Sequence, residues 1–74
     1  MSLNDLKEGN SCVIKKIGGD KKIVQKFLDM GFVPNSNLCV VRNAPLYDPI
    51  EVNIKGYDIA IRRSEASNIQ VELI

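Results

Sequence analysis

The stretch Leu28-Asp29-Met30-Gly31-Phe32-Val33-Pro34-Asn35 decides the fold of this chain, because it predicts the end of a helix followed directly by the start of a strand. We expect Gly31 to end the helix in the left-handed conformation that glycine adopts at no steric cost, with Phe32 packing back on the helix in a Schellman motif. Pro34 suits the first central position of a type II turn, and Asn35 tolerates the positive φ of the second. The chain therefore has to change from helix to strand here.

The residues before this stretch have the pattern of a short amphipathic helix. Between Lys21 and Met30, apolar residues recur at steps of three and four, as a single buried stripe requires. The residues of the predicted stripe are Ile23, Val24, Phe27, Leu28 and Met30. Asp20 is expected to cap the helix by accepting hydrogen bonds from free N–H groups of its first turn. We predict Phe27 as the packing partner of Phe32.

Most of the remaining chain alternates between apolar and polar residues, which is the period of a half-buried strand. The predicted strands cover residues 12–17, 36–43, 50–55, 57–63 and 69–73. Leu38, Val40 and Arg42 are expected on one face of the second strand. Gly56 predicts a tight hairpin turn, and residues 64–68 suit a single helical turn.

Five short strands, with one helix between the first and the second, predict a mainly β fold. No second helix is available to cover a face of the sheet, so the sheet has to curl on itself to bury its apolar side. We therefore expect one domain over residues 1–74, a small SH3-like β-barrel whose closure hides most strand edges. A domain of this size buries only about 60% of the surface of its unfolded chain, which leaves little room for a deep pocket.

The overall composition indicates a globular protein without a strong charge. Hydrophobic residues make up 45% of the chain, charged residues 26%, and the net charge is +1, so only a local patch could attract nucleic acid or a membrane surface. The first residues form no apolar run typical of a signal peptide, and no segment approaches the roughly 18 apolar residues of a membrane span. We expect a cytoplasmic protein without membrane insertion. Cys12 and Cys39 stand alone in apolar surroundings and are interpreted as core residues.

Motifs that carry chemistry are scarce in this sequence. The chain contains no histidine, the commonest general base and neutral metal ligand. Gly18-Gly19 precedes a helix but lacks the spacing of a phosphate-binding P-loop. The carboxylates of Asp48, Glu51, Asp58 and Glu65 are scattered and follow no calcium-ligand spacing. We predict no catalytic residue, no bound cofactor and no metal site.

The most suggestive binding feature is a loop with two prolines. Its residues are Ala44, Pro45, Leu46, Tyr47, Asp48 and Pro49. The prolines exclude regular strand and lower the entropy that such a loop loses on docking. Tyrosine is enriched among interface hot spots, so Leu46 and Tyr47 could contact a partner. An alternative stays open, in which Tyr47 folds back over the barrel and Leu46 fills a gap in the core.

A second candidate is a group of lysines at the end of the first strand and on the helix. Its members are Lys15, Lys16, Lys21, Lys22 and Lys26. Such a patch could meet an acidic protein surface or a phosphate backbone. Lysines also commonly form the solvated face of an amphipathic helix, and this second interpretation is favoured. No aromatic residues alternate with the lysines to stack on bases, so nucleic-acid binding is not predicted.

Four segments of the chain, taken together, carry a resemblance to a known family. They are residues 3–9, 28–34, 42–50, and 59–66 followed by Ile69 and Val71. In this order and at these distances they resemble the FeoA family (ferrous iron transport protein A). Asn35 departs from the glycine that is usual in the family after this proline, a change that a type II turn tolerates.

The resemblance implies an SH3-like domain that acts as a small cytosolic accessory protein of ferrous iron transport. Its implied partner is a membrane ferrous iron transporter with a cytosolic GTPase domain, of the FeoB type. The implied role is a protein-binding module that docks on this transporter and regulates or assembles it. The family label suggests binding of a transition metal, but two isolated cysteines without histidine do not gather the donors of such a site. Weak self-association stays open.

Two alternatives belong to other functional classes. Arg42, Arg62 or Arg63 could act in trans as an arginine finger on the partner's GTPase site, although strand pairing is expected to limit the reach of two of them. The other alternative is a stand-alone nucleic-acid-binding barrel, for which the lysines are the sole support. A structural role is predicted for a further set, comprising Gly31, Phe32, Pro34 and Gly56.

Overall fold

A computed structural model of the chain describes residues 1–43 and 47–74. The elements in these ranges are a 3₁₀ turn (Leu3–Asp5), β1 (Ser11–Ile17), α1 (Lys21–Asp29), β2 (Asn37–Asn43), β3 (Ile50–Ile54), β4 (Tyr57–Ile61), α2 (Arg63–Ala66) and β5 (Ile69–Leu73). The strands form one antiparallel sheet in the order β4-β3-β2-β1-β5. The predicted mainly β fold, with a helix between the first two strands, is confirmed.

The end of α1 has the predicted Schellman geometry. Gly31 has a φ of +90°. The N–H of Phe32 donates to the carbonyl oxygen of Phe27 at 2.8 Å, and the N–H of Gly31 donates to that of Leu28 at 3.0 Å. The rings of Phe27 and Phe32 lie 5.4 Å apart, and both side chains are fully buried. This motif therefore ends the helix and places two aromatic rings in the core.

The turn that follows ties the helix to the sheet. Asn35 has a φ of +72°, and the N–H of Ser36 donates to the carbonyl oxygen of Val33 at 3.1 Å, as in a type II turn. The N–H of Asn35 also donates to the carbonyl oxygen of Ile14 in β1 at 2.7 Å. The predicted turn is confirmed, and it anchors the start of β2 against β1.

One apolar core lies inside the curled sheet. Every strand contributes side chains to it, together with the 3₁₀ turn, α1, α2 and the residues near them. The fully or almost fully buried residues are Leu3, Leu6, Cys12, Ile14, Phe27, Phe32, Leu38, Val40, Ile50, Val52, Ile54, Ile61, Ala66, Ile69 and Val71. Burial of a large apolar side chain contributes about 1.5–3 kcal/mol, so this core supplies the main stabilising term.

The two outermost strands differ in how their free edges are covered. Ser2 forms an isolated bridge with Gln70, and the N–H of Val71 donates to the carbonyl oxygen of Met1 at 2.9 Å, so N-terminal residues cover the edge of β5. Within residues 1–43 and 47–74, β4 pairs with β3 alone. The sheet thus encloses its core by curling, while its ladder ends at β4 and β5.

The β3–β4 hairpin has the predicted tight turn. Lys55 and Gly56 both have positive φ, +53° and +85°, and Ile54 pairs with Tyr57 across the turn. These are the conformations that a two-residue type I′ turn needs at its central positions.

Two predictions about strand faces and ends are wrong. The predicted fourth strand runs to Arg63, whereas β4 ends at Ile61 because Arg62 occupies the N-cap position of α2 and Arg63 is the first residue of that helix. Arg42 does not share the face of Val40, because the register between β2 and β3 shifts between these two residues. Arg42 is exposed instead and pairs with Glu51.

Two predictions about burial also need correction. Leu28 belongs to the predicted buried stripe but is 38% exposed, because it lies at the edge of the face that α1 turns to the core. Cys39 is half-buried and does not join the core, since it alternates with the inward-facing Leu38 and Val40 along β2. Cys12, by contrast, is fully buried as predicted.

The two cysteines are free thiols on neighbouring strands. Ser11 pairs with Cys39 and Cys12 pairs with Leu38, so the thiols occupy diagonal positions on opposite faces of the sheet. Burial, with a smaller contribution from Cys39, raises the pKa of Cys12 to about 11. The Cys12 thiol is therefore protonated and unreactive in the folded protein at neutral pH.

We expect Gly31→Ala to lower the free energy of unfolding by about 1–2 kcal/mol, because alanine resists the left-handed conformation. Its Cβ would meet only Lys55 at 3.8 Å, so backbone strain is the main cause. Urea denaturation measures the loss. The matched control is Gly18→Ala, at a position without positive φ and with ordinary contacts. Equal losses in the two variants would contradict the assigned role of Gly31.

The raised pKa of Cys12 predicts that stability falls in alkaline solution. The unfolded thiol ionises near its ordinary pKa of 9.0 and the folded thiol only near 11, so the unfolded state loses its proton first. The stabilisation is complete below the lower value and is lost as the pH rises through the higher one. Between about pH 8 and about pH 10, wild type should lose about 1 kcal/mol more than Cys12→Ala, as measured by urea denaturation. Equal pH dependence in both proteins would refute the assignment.

Candidate docking surface

The described part of the predicted binding loop presents an exposed tyrosine. Ala44, Pro45 and Leu46 lie outside the described residues, so their predicted contact with a partner stays a prediction. Tyr47 is 62% exposed and has a φ of +75°. It does not enter the core, and its ring lies on the side chain of Arg63.

Arg63 is a buried cation that binds three separate segments. Its side chain and backbone leave the residue only 8% exposed. Nε donates to the carbonyl oxygen of Tyr47 at 2.8 Å, Nη1 to the carbonyl oxygen of Asn4 at 3.2 Å, and Nη2 to Oδ1 of Asn43 at 2.9 Å. The planar guanidinium therefore joins the loop, the N-terminal turn and the end of β2.

The same residue holds the loop in two further ways. The Cζ atom of Arg63 lies 3.8 Å from the centroid of the Tyr47 ring, which is a cation–π contact. The backbone N–H of Arg63 donates to Oδ1 of Asp48 at 3.0 Å. The peptide bond between Asp48 and Pro49 is cis. Side-chain and backbone bonds to one residue thus fix both Tyr47 and Asp48.

The position of Arg63 follows from the way β4 ends. Arg62 has an extended conformation, and the chain then turns into α2, where Ala66 is fully buried in the core. Nδ2 of Asn4 donates to the carbonyl oxygen of Arg63 at 2.8 Å, which links the short helix to the N-terminal turn. Core packing of Ala66 and this hydrogen bond together orient the Arg63 side chain toward Tyr47 and Asp48.

A shallow, open depression of about 390 Å³ is lined by Asp48, which follows Tyr47 in the chain, together with Pro49 and Arg62. Arg62 is exposed, and in residues 1–43 and 47–74 it has no ion pair. We refer to Tyr47, Asp48, Pro49 and Arg62 as the docking surface. It offers one aromatic ring, one proline and two opposite charges to a partner.

The predicted lysine patch is divided by acidic residues. Nζ of Lys26 lies 2.8 Å from Oε2 of Glu65, and Nζ of Lys15 lies 3.5 Å from Oε2 of Glu72. Lys16 and Lys22 are exposed. Such surface pairs add little stability, but they neutralise part of the local positive charge. Lys15 and Lys26 therefore face acidic partners, while Lys16, Lys21 and Lys22 stay exposed and keep the lysine patch a prediction.

The three arginines proposed as fingers have different environments. Arg63 is buried with all three side-chain nitrogens engaged, so it cannot extend into another protein. Arg42 lies in β2, and its hydrogen bond to Glu51 raises its pKa. Arg62 lies beyond the end of β4 and is exposed. Of the three, Arg62 is the exposed arginine that forms no ion pair within residues 1–43 and 47–74, whereas Arg42 is exposed but paired with Glu51.

A second groove of about 390 Å³ lies on the outer face of the sheet. Its lining residues are Ser11, Asn37, Leu38, Cys39, Asn53, Lys55 and Ile74. The sequence did not indicate it, because Cys39 was interpreted as a core residue from the usual burial of free cysteine, against the alternation of β2. Within residues 1–43 and 47–74, no group of three or more histidine, cysteine, aspartate or glutamate side chains is placed to hold a metal ion. No helix of this described part is long and apolar enough to span a membrane.

Comparison with known proteins gives a consistent family match. A family model described as the FeoA domain matches residues 1–73. An Fe(2+) transport protein A/Fe(2+) transporter FeoB fusion protein of Porphyromonas gingivalis is 39% identical over the whole chain, which spans 9% of that protein. A putative Fe(2+) transport protein A of Campylobacter jejuni is 31% identical over the full length of both chains.

Solved structures share the fold of this chain. The solution structure of the FeoA protein from Chlorobium tepidum has a TM-score of 0.93 at 36% identity, covering all of this chain and 70% of the other. FeoA of Stenotrophomonas maltophilia, described as an SH3 domain protein in complex with zinc, has a TM-score of 0.81 at 25% identity, covering 97% of this chain and 89% of the other. The predicted SH3-like fold is thereby confirmed.

The same fold also occurs inside larger regulators. A manganese-dependent transcriptional repressor has a TM-score of 0.92 at 21% identity, and this chain covers 36% of it. At that identity the likeness shows the fold alone.

The substitution Arg63→Ala leaves three buried or partly buried oxygen acceptors without their donor. We therefore expect it to lower the free energy of unfolding by about 3 kcal/mol. Urea denaturation followed by circular dichroism measures this loss. The neighbouring exposed arginine provides the control, and Arg62→Ala should change stability by no more than about 0.5 kcal/mol. Similar effects of the two substitutions would show that the network around Arg63 is not stabilising.

Proposed function

Because this chain belongs to the FeoA family, we propose that it is an accessory protein of ferrous iron transport that binds a FeoB-type membrane transporter on its cytosolic side. The Porphyromonas gingivalis relative supports this partner, since its name joins the transport protein A and the FeoB transporter in one fusion protein. Linking two modules raises their effective concentration, which favours contact between them. Regulation or assembly of the transporter is part of the same proposal.

The exposed Tyr47 ring on a buried arginine is the observation that carries the docking role. Tyrosine offers a large contact area at low entropic cost, and Tyr47 is 62% exposed while its backbone is bonded to Arg63. A side chain that is already ordered in the free protein loses little further freedom on binding. The docking surface is therefore prepared to receive a partner without rearrangement.

The chemistry of the docking surface defines the partner segment that fits it. An apolar side chain would cover the Tyr47 ring and Pro49, and an acidic side chain would reach the exposed Arg62 beside them. Lys16 and Lys22, exposed on the same small molecule, would add long-range attraction to an acidic transporter surface. The predicted contribution of residues 44–46 belongs to this proposal as well.

The size of the molecule limits how much of it can be in contact. A typical stable interface buries about 800 Å² on each partner. The accessible surface of the whole protein is 4600 Å². An interface of ordinary size thus covers about a sixth of this surface, so strands next to the docking surface have to take part.

A second function, stimulation of GTP hydrolysis by an arginine in trans, now depends on Arg62 alone. Its exposure beyond the end of β4 is the observation that favours it. The nucleic-acid-binding alternative loses part of its basis, because Lys15 and Lys26 pair with Glu72 and Glu65.

We expect Tyr47→Ala to weaken binding to the purified FeoB-type transporter of the same organism by at least about tenfold, which corresponds to about 1.4 kcal/mol. Fluorescently labelled protein titrated with the transporter in detergent provides the measurement. Tyr57→Ala is the matched control, because Tyr57 is 72% exposed at the opposite end of the β3–β4 hairpin and should leave the affinity within about twofold.

Absence of saturable binding by wild type would refute the docking proposal itself. Equal weakening by both tyrosine variants would refute the assignment of the docking surface. If added protein raises GTP turnover and Arg62→Ala abolishes this effect while binding persists, the second function is favoured.

A further inference from the structure

We infer that Arg63 is the positioning residue of the docking surface, holding the Tyr47 ring in the orientation that binds the partner. This inference rests on the proposed function. It adds a role for a residue that is itself only 8% exposed and so contributes little surface to any interface. Sequence reasoning considered Arg63 only as an arginine finger, a role that its burial excludes.

The shape of the guanidinium supports this role. Its nitrogens donate to Tyr47, Asn4 and Asn43, while its Cζ atom lies over the Tyr47 ring, 3.8 Å from the centroid. Because these hydrogen bonds fix the position of the guanidinium, they also fix the cation against which the Tyr47 ring lies. A lysine ammonium has neither a flat face nor a rigid fork of donors, so it cannot fix the ring in the same way.

The backbone conformation of Tyr47 independently supports a positioning role for Arg63. A φ of +75° is unfavourable for a residue with a large side chain. The conformation is held by the bond from Nε of Arg63 to the Tyr47 carbonyl and by the bond from the Arg63 N–H to the Asp48 carboxylate. Arg63 thus stabilises a backbone conformation that turns the ring outward.

The environment of the Arg63 side chain also supports the positioning role. In residues 1–43 and 47–74, the side chain of Arg63 is bonded to carbonyl and amide oxygens and forms no ion pair with a carboxylate. A buried charge compensated in this way is a costly means of gaining stability alone. The energetic cost of burying the Arg63 charge is explained if binding requires an ordered Tyr47 ring.

Tyr47 can be observed on its own, because the chain has only two tyrosines and no tryptophan. In a Tyr57→Phe background labelled with 3-fluorotyrosine, Tyr47 gives the single fluorine NMR signal. We expect Arg63→Lys to move this signal toward the position found in urea-unfolded protein. The adjacent substitution Arg62→Lys serves as the control and should leave the signal in place, because the cation over the ring and the donor to the Tyr47 carbonyl oxygen both belong to Arg63.

Binding to the purified FeoB-type transporter then tests the link to function. Arg63→Lys should weaken binding by at least about tenfold, and Asn43→Ala, which removes one acceptor of the guanidinium, by about threefold. The double variant Tyr47→Ala/Arg63→Lys should bind no more weakly than Tyr47→Ala alone, since Arg63 acts through Tyr47. Additive losses would indicate a general structural effect and would overturn the inference.

The outcomes separate this inference from the proposed function. An unchanged Tyr47 signal in folded Arg63→Lys overturns the inference, whatever the affinity. A shifted signal with unchanged affinity also overturns the inference. If Tyr47→Ala binds normally as well, the assignment of the docking surface is refuted too.

If thermal denaturation shows that Arg63→Lys does not fold, the same two measurements are made on Asn43→Ala instead. A shifted signal and weaker binding in that variant support the inference, and wild-type values in both overturn it.

Discussion

The burial of Phe27 against Phe32 is the constraint on which the remaining structure depends. The two rings lie 5.4 Å apart on either side of a glycine with positive φ, so the helix has to end between them. The chain leaves this turn at Asn35, whose N–H is bonded to Ile14 of β1. Helix, turn and first strand pair are consequently fixed by one local motif and one apolar contact. The curled sheet then assembles around the rings.

Two kinds of interaction hold the molecule together, and they serve different purposes. The apolar core is contributed by all five described strands and supplies most of the stability, but many apolar sequences could fill it. The network around Arg63 depends on direction, because each bond needs a donor and an acceptor at a fixed angle. It connects Arg63 to Asn4 near the start of the chain and to Asn43 and Tyr47 on either side of the proline loop. The core sets the fold, and the network sets the surface beside it.

This division explains why the fold alone says little about function. The same arrangement of strands is present in FeoA proteins and as part of a larger manganese-dependent repressor. What distinguishes members of such a fold is the set of side chains on the outside of the sheet and in its loops. In this chain such features include the exposed Tyr47, the exposed Arg62, and lysines partly neutralised by Glu65 and Glu72.

The sequence by itself determined the elements whose causes are local. The helix cap at Asp20, the Gly31 turn, the Asn35 turn and the Gly56 hairpin each depend on residues within a few positions of one another, and the structure has all four. The inward positions of the strands follow from alternation wherever the ladder is regular. Where the register shifts after Val40, alternation failed.

Only the tertiary structure decided what lies next to what across long separations. The contact of Arg63 with Asn4 spans 59 positions and that with Asn43 spans 20, and no local pattern encodes either of them. The outward direction of Tyr47 likewise depends on neighbours that the fold brings together. Local backbone preferences act over one turn or hairpin, whereas the partners of a buried charge are set by packing of the whole chain.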